Sequence, residues 1–319
     1  MSNSEEKIIF ILGHGRSGTT LLNKVLSVHP DICFFGNEFN DLPYFYFQHH
    51  RYDKFGAQKY ERMMSDFLAH PWLNFKLKPK VSAKNIRDFI AQDILGQFKQ
   101  QQAKEVVGVK IANFIFENVQ MIAQAFPNAY CIHIYRDPRD VYWSLKKNNF
   151  PIFSAYYVAK AWQKAVVEIQ SLQGRVPHFF EIKYESLITR PEAEIRKICA
   201  FLGVPYSEKM VNFHKFIIDE PLSYHQYLNI GFVSDNFNKW QGNLSQREHD
   251  LIMAGAYQEM KNLGYGDLEE KKINLFTHVW EYLLEKLIAN FKLLVSKKFL
   301  WFNRRGYRLK VSLRRWLAI

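Results

Sequence analysis

The stretch IIFILGHGRSGTTLLNKVLS, residues 8–27, decides the fold. Its first five residues, Ile8 to Leu12, form a short run rich in β-branched side chains, the signature of a buried strand. The run ends at Gly13, and Gly13–Thr20 then sets glycines, hydroxyls and one arginine ahead of a helix predicted over about Thr19 to Ser27. Glycine permits φ > 0 and lets backbone wrap an anion. Amides of the helix start, with the hydroxyls of Ser17, Thr19 and Thr20, can then cradle a phosphate. Two classes of phosphate loop compete for this spacing. As GxxxxGK[ST], Gly13 and Gly18 are in register, but Thr19 stands where the phosphate-binding lysine belongs, which argues against an ATPase. As GxGxxG, Gly13, Gly15 and Gly18 fit, and Glu38 lies about 20 residues on, as a dinucleotide fingerprint asks. The helix start RSGTT is more polar than a loop whose glycines serve close packing, so a second motif has to decide.

Outward from this stretch the chain alternates strand and helix. Strands are expected at Ile32–Phe35, Val106–Ile111, Ala129–Tyr135 and Phe179–Tyr184. Between them fall helices capped by Ser82 and ending near Gln102, over about Pro138–Lys147, and from about Ser154 to Gln173. A helix opened by Pro191 exits at Gly203, and Ser245 with Glu248 reads as a capping box for a helix to about Asn262. The expectation is an α/β fold: a mostly parallel central sheet flanked by helices, with a phosphate-binding loop after the first strand. We divide the chain into a domain over 1–268 and a basic amphipathic extension over 269–319.

The second motif is YCIHIYRDPRDVYWSL, residues 130–145. A buried strand delivers Arg136 to a strand end, where ligands of open α/β sheets gather. Ser144 follows eight residues later, about two turns along the next helix. A guanidinium binds phosphate oxygens as a bidentate fork, so arginine and hydroxyl together suit a second phosphate. Arg139 has the same option, or pairs with Asp137 or Asp140.

Together the two motifs resemble the sulfotransferases that use 3′-phosphoadenosine 5′-phosphosulfate (PAPS) as donor. RSGTTLL (Arg16–Leu22) looks like that family's 5′-phosphosulfate loop, and Arg136 with Ser144 like its 3′-phosphate pair. FFEIKYESLITRPEAEIRKICAFLGVPYS (Phe179–Ser207) is similar to its strand–Tyr-Glu–helix segment, and NKWQGNLS (Asn238–Ser245) resembles the late loop that closes over the nucleotide. Arginine in the first loop looks closest to the bacterial and tyrosylprotein-type branch. The fold implied is the P-loop NTPase-like sulfotransferase fold. The resemblance implies that Gly15, Arg16, Ser17, Gly18, Thr19 and Thr20 bind the 5′ side of the donor, with Arg16 stabilising the leaving phosphate. By the same carry-over Arg136 and Ser144 bind the 3′-phosphate, Tyr184 lies near the adenine and Lys239 serves the closing loop. Lys110 falls where the family keeps a lysine facing the sulfuryl group, although its context departs from the usual Lys-Thr-Pro or Lys-Asp-Pro. Ala112 stands where the aryl branch has its catalytic histidine, so the base implied is Glu38, in HPDICFFGNE. That stretch carries one residue more between Pro30 and Gly36 than the tyrosylprotein branch usually does. Catalysis would be in-line displacement, with PAP (adenosine 3′,5′-bisphosphate) as product and no metal.

Bulk properties bound the rest. The chain has 319 residues, 48% hydrophobic and 23% charged, an ordinary globular composition with room for a sizeable core. Three scattered cysteines without CxxC spacing argue against a disulfide scaffold or a zinc site. The start MSNSEEKIIF lacks the apolar core of a signal peptide, and apolar stretches break well short of a membrane span, so a cytoplasmic setting is expected. Most of the +12 net charge belongs to the tail, where twelve Lys and Arg face two acids from Lys271 onward. Phe276, Trp280, Leu283, Leu287, Phe291 and Leu294 form one stripe there, which suits a helix lying on an anionic membrane surface, or one docked on the body or on a second subunit. Nucleic acid is disfavoured, since no reading motif accompanies the charge. The acceptor carries a hydroxyl (carbohydrate, glycolipid or other alcohol or phenol); oligomeric state is not legible. Two rival functions stand beside this one: a non-catalytic nucleotide-binding homologue, and an NAD-linked oxidoreductase, which gives Arg136 and Ser144 no role.

Overall fold

The structure is a computed structural model that describes residues 7–36, 42, 46–47, 60–61, 65, 85–112, 116–148, 150, 154–216, 228–266 and 268–270. Strand β1 (Ile8–Gly13) leads through the glycine loop into helix α1 (Thr19–Ser27), then β2 (Ile32–Phe34). A helical run α2 follows, built of Ile86–Asp88, a π-helical centre Phe89–Gly96, and Gln97–Gln101. Then come β3 (Val106–Ala112), α3 (Phe116–Ala125), β4 (Tyr130–Tyr135), α4 (Pro138–Lys147) and α5 (Ala155–Gln170). The chain continues through β5 (His178–Lys183), α6 (Tyr184–Thr189), α7 (Pro191–Leu202) and α8 (Gln246–Asn262).

The five strands form one sheet in the order β2-β3-β1-β4-β5, every pairing parallel. Parallel strands are joined by crossovers that lay helices on both faces, so central strands become apolar throughout. β1 shows this best, with all six residues buried. Its Ile8, Phe10 and Leu12 join the core under α2, α3 and α5, while Ile9 and Ile11 join the core under α1, α6 and α7. A third apolar cluster, centred on the fully buried Trp162, knits α4, α5 and α8 together.

Local signals placed most elements where expected. Ser245 and Glu248 form both bonds of the capping box, and Gly203 ends α7 at φ 59° behind an N-terminal Pro191. The start of α2 differs from expectation. Asn85 is its cap, its side chain accepting from the Asp88 amide, whereas Ser82 lies outside the described residues. β2 stops at Phe34, and Tyr184 opens α6 rather than closing β5. The extension beyond residue 270 and Glu38 also lie outside the described residues.

Candidate active site

β1 and β4 are neighbours, but the chain leaves them in opposite directions, from β1 toward β2 and β3 and from β4 toward β5. The carboxyl ends of such a strand pair bound the crevice where open α/β sheets take ligands. Gly13 ends β1 and Tyr135 ends β4, so the glycine loop and the Arg136 motif emerge side by side. They touch directly: Arg136 Nη1 donates to the Arg16 carbonyl at 3.4 Å.

In the loop, the Ser17 amide donates to the His14 carbonyl at 3.1 Å. Arg16 has φ 69° and Gly18 φ 97°. Left-handed residues alternating with ordinary ones turn successive amides into one concavity, a nest for an anion. Gly18 caps α1 without a side chain, and no acid stands in the first turn of that helix, so its leading amides face the nest without an internal carboxylate. Gly18 is required twice over, since a Cβ there would meet the Tyr184 ring at 2.5 Å. Lys110 arrives from β3 on the α1 side of the sheet, and its Nζ donates to Thr20 Oγ1 at 2.9 Å. Arg16 Nε donates to Ser144 Oγ at 3.1 Å, with its guanidinium 5.4 Å from the Phe150 ring. These bonds end on neutral oxygens, which an anionic phosphate readily outcompetes.

Arg136 is buried, stacked 4.4 Å over Tyr184, and its Nη2 donates to the Asn236 carbonyl at 2.8 Å. The Asn236 side chain in turn donates to the Tyr184 hydroxyl at 2.7 Å. Trp162 Nε1 donates to the Arg136 carbonyl at 3.0 Å, holding the motif's backbone from α5. Asp137 caps α4 through the Arg139 amide and binds the Arg139 guanidinium at 2.6 Å, which settles Arg139's partner. Arg139 also lies 4.2 Å over Trp240. Two acids under this motif are held above the ordinary carboxylate range. Burial is the chief cause at Asp140 and at Glu185, which accepts the Asp137 amide at 3.0 Å.

Thus Ser144, Arg16, Arg136 and Tyr184 are linked by successive contacts at the switch point, Lys110 and Thr20 pair in the same loop region, and Gly18 packs close to the Tyr184 ring. Ser144, expected to share a phosphate with Arg136, accepts from Arg16. Thr19 is buried at the helix start, and Gly15 accepts from His14 Nδ1 at 2.8 Å. Burial lowers the His14 pKa, with that bond working the other way. Lys239 is partly exposed and pairs with Asp235 at 2.9 Å. His133 is a core residue bonded to Glu181 at 2.8 Å. Asn236, Phe150 and Trp240 were not foreseen. The acid pair in RDPRD and the late loop at Asn238–Ser245 are the sequence signals nearest to these contacts.

The donor implied by the motifs can be tested against these residues. Ser17 Oγ and Arg136 Nε are both buried and have no hydrogen-bond partner among the described residues. One is a hydroxyl under the nest and the other a guanidinium nitrogen at the second anion position, so the residues present fit a ligand with two phosphates. No group of His, Cys, Asp and Glu suited to a metal occurs among the described residues.

Fold and site therefore define an α/β protein of the phosphate-loop type, with its glycine loop and a buried arginine side by side at the switch point. A model of the Sulfotransferase family matches residues 9–208, and the chain belongs to that family. It is 26% identical over 232 residues to the protein-tyrosine sulfotransferase of Drosophila melanogaster, covering 67% of this chain and 42% of that protein. Protein-tyrosine sulfotransferase 1 of Danio rerio is 24% identical over 223 residues, 67% of this chain and 58% of the relative. The chain thus spans about half the length of these two relatives. Among solved structures, the sulfotransferase domain of the Synechococcus PCC 7002 olefin synthase aligns at TM-score 0.56 and 19% identity, covering 84% of this chain and 98% of that domain. The sulfotransferase domain from the curacin biosynthetic pathway gives 0.54 and 17%, covering 83% and 99%. Family membership decides against the oxidoreductase reading of Gly13, Gly15 and Gly18.

Proposed function

We propose that this chain transfers a sulfuryl group from PAPS to an acceptor hydroxyl. The observation that carries the reading is the joining of two anion positions in one crevice, through Arg136 Nη1 and the Arg16 carbonyl. Bound PAPS supplies a sulfuryl group on a phosphate leaving group, and the chain positions and neutralises rather than forming a covalent intermediate. The nest of residues 15–20 holds the 5′ side, and Arg16 turns from Ser144 toward the charge that develops on the leaving oxygen. Lys110, already at Thr20, neutralises the transferring group from the β3 side. Arg136 and Ser144 take the 3′-phosphate, and Tyr184 packs beside the base. Glu38 accepts the acceptor's proton, a role argued from sequence alone.

The relatives' names favour a tyrosine phenol as the first acceptor to try, ahead of sugars and aliphatic alcohols. We also assign the basic extension to an anionic membrane surface, on its stripe and its charge. Liposome co-sedimentation of the full chain beside a version ending at Asp267 tests that assignment, and equal binding overturns it.

Isothermal titration with PAP, beside NAD, ATP and AMP, tests the donor. Selective binding of PAP, with transfer of labelled sulfate from PAPS to a tyrosine peptide, a sugar or an alcohol, supports the function. Binding without transfer to any acceptor class turns the reading to a non-catalytic homologue, and preference for NAD overturns it.

A further inference from the structure

Asp140 is a carboxylate that the proposed chemistry does not use, yet it is 1% exposed beside Arg136. Its oxygens meet two backbone amides of a turn far along the chain. Oδ2 accepts from Asn238 at 2.7 Å and Oδ1 from Trp240 at 2.9 Å. Asn238 has φ 54°, a conformation costly for a residue with a side chain. The turn is thereby shaped into an internal anion nest with a carboxylate inside it. The cap of α4 belongs to Asp137, so a cap does not account for Asp140. Arg136 Nη2 lies 3.9 Å from Asp140 and donates to the Asn236 carbonyl, two residues before the nested turn. One carboxylate therefore orients the guanidinium and fastens the turn that the guanidinium touches.

We propose that Asp140 is the positioning residue of the donor site, fastening residues 236–240 against Arg136 so that guanidinium and turn present one preformed face to the 3′-phosphate. This inference rests on the donor reading above. A face assembled before binding spares the donor the ordering of a turn, so its loss shows in donor affinity rather than in the chemical step.

The test is Asp140→Asn, which keeps the shape but offers one amide donor an NH₂ instead of an oxygen. In the full chain, hydrogen exchange of the 236–240 amides without ligand should quicken about tenfold or more, as protection there falls. PAP should bind about 10- to 50-fold more weakly, while kcat at saturating donor and acceptor KM stay within about threefold. Combined with Arg136→Lys, the Asp140→Asn effect on PAP affinity should shrink below about threefold, since both act through one contact. If Asp140→Asn does not fold, Asp140→Glu keeps the charge, displaces it by a methylene and should show the same split.

If the unaltered protein binds PAP and Asp140→Asn binds it equally well, the positioning role is overturned and the donor reading stands. An equal fall in kcat and in affinity for both substrates likewise overturns it, as a merely structural residue would behave so. If the unaltered protein does not bind PAP, the donor reading and this inference fall together, whatever the exchange rates show.

Discussion

The two proposed anion positions are built from opposite materials. Around residues 13–20 the cradle is backbone, shaped by positive φ at Arg16 and Gly18 and backed by the leading amides of α1. At the end of β4 it is side chain, with Arg136 stacked on Tyr184 and held by a carbonyl of a distant turn. The first is set by a few consecutive residues. The second needs β4, α6 and the turn at 236–240 to arrive together. The lesson is one of fragility: the backbone cradle fails by shape, the side-chain cradle by charge and by distant contacts.

Arg16→Ala sharpens this contrast most, because Arg16 belongs to the loop but acts through its side chain. Its loss should cost roughly 3–4 kcal/mol in the transition state, on the order of 10²–10³ in kcat, with smaller change in PAP affinity. Single-turnover kinetics beside titration separates the two effects. Arg136→Ala should show the opposite pattern, weakening PAP binding by about ten- to a hundredfold, equivalent to about 1.5–3 kcal/mol for charged hydrogen bonds. If the two patterns are exchanged, the assignment of the two cradles is wrong. Gly18→Ala tests shape alone. Positive φ and the Tyr184 ring together should lower stability by about 1–2 kcal/mol, seen as a lower Tm, and PAP binding should weaken although no charge is lost.

Tyr184→Phe removes only the hydroxyl that receives the Asn236 amide, and should shift PAP affinity by about 1 kcal/mol or less. The smallest effect concerns pH, at Glu181 on β5, the strand paired with the one that delivers Arg136. Burial works to raise the Glu181 pKa, but its bonds to His133 and Gln170 outweigh burial and hold it below the ordinary value. An acid depressed in the fold stabilises above its unfolded pKa, and that stability goes as pH falls through the folded value. Tm should therefore fall on acidification below about pH 4.5, and Glu181→Gln should flatten part of that slope.

The same division explains what the sequence disclosed. Gly13–Thr20, Pro191 with Gly203, and Ser245 with Glu248 are local devices, complete within a few residues, so helix ends and the backbone cradle could be read directly. The places of Lys110 and Arg136 in the fold were legible because strand register and strand end fix where a side chain points. Asn236 and Trp240 were not, since their roles arise from packing across some hundred residues of chain. Helix phase gives the position of Ser144, but not that Arg16 donates to its hydroxyl. The π-helical centre of α2 left no local signal, as its composition suits an ordinary helix equally well.

The central place of β1 bears on how the chain is made. Both neighbours of this strand are synthesised late, β3 beginning at Val106 and β4 at Tyr130. At about 5–20 residues per second, the ribosome leaves an apolar strand without its edges covered for roughly 5–20 s. During that interval IIFIL is the kind of segment that pairs with another copy of itself. Nascent-chain yield should thus depend on whatever shields this strand, and slowing translation between residues 30 and 130 should raise aggregation while leaving the finished fold unchanged.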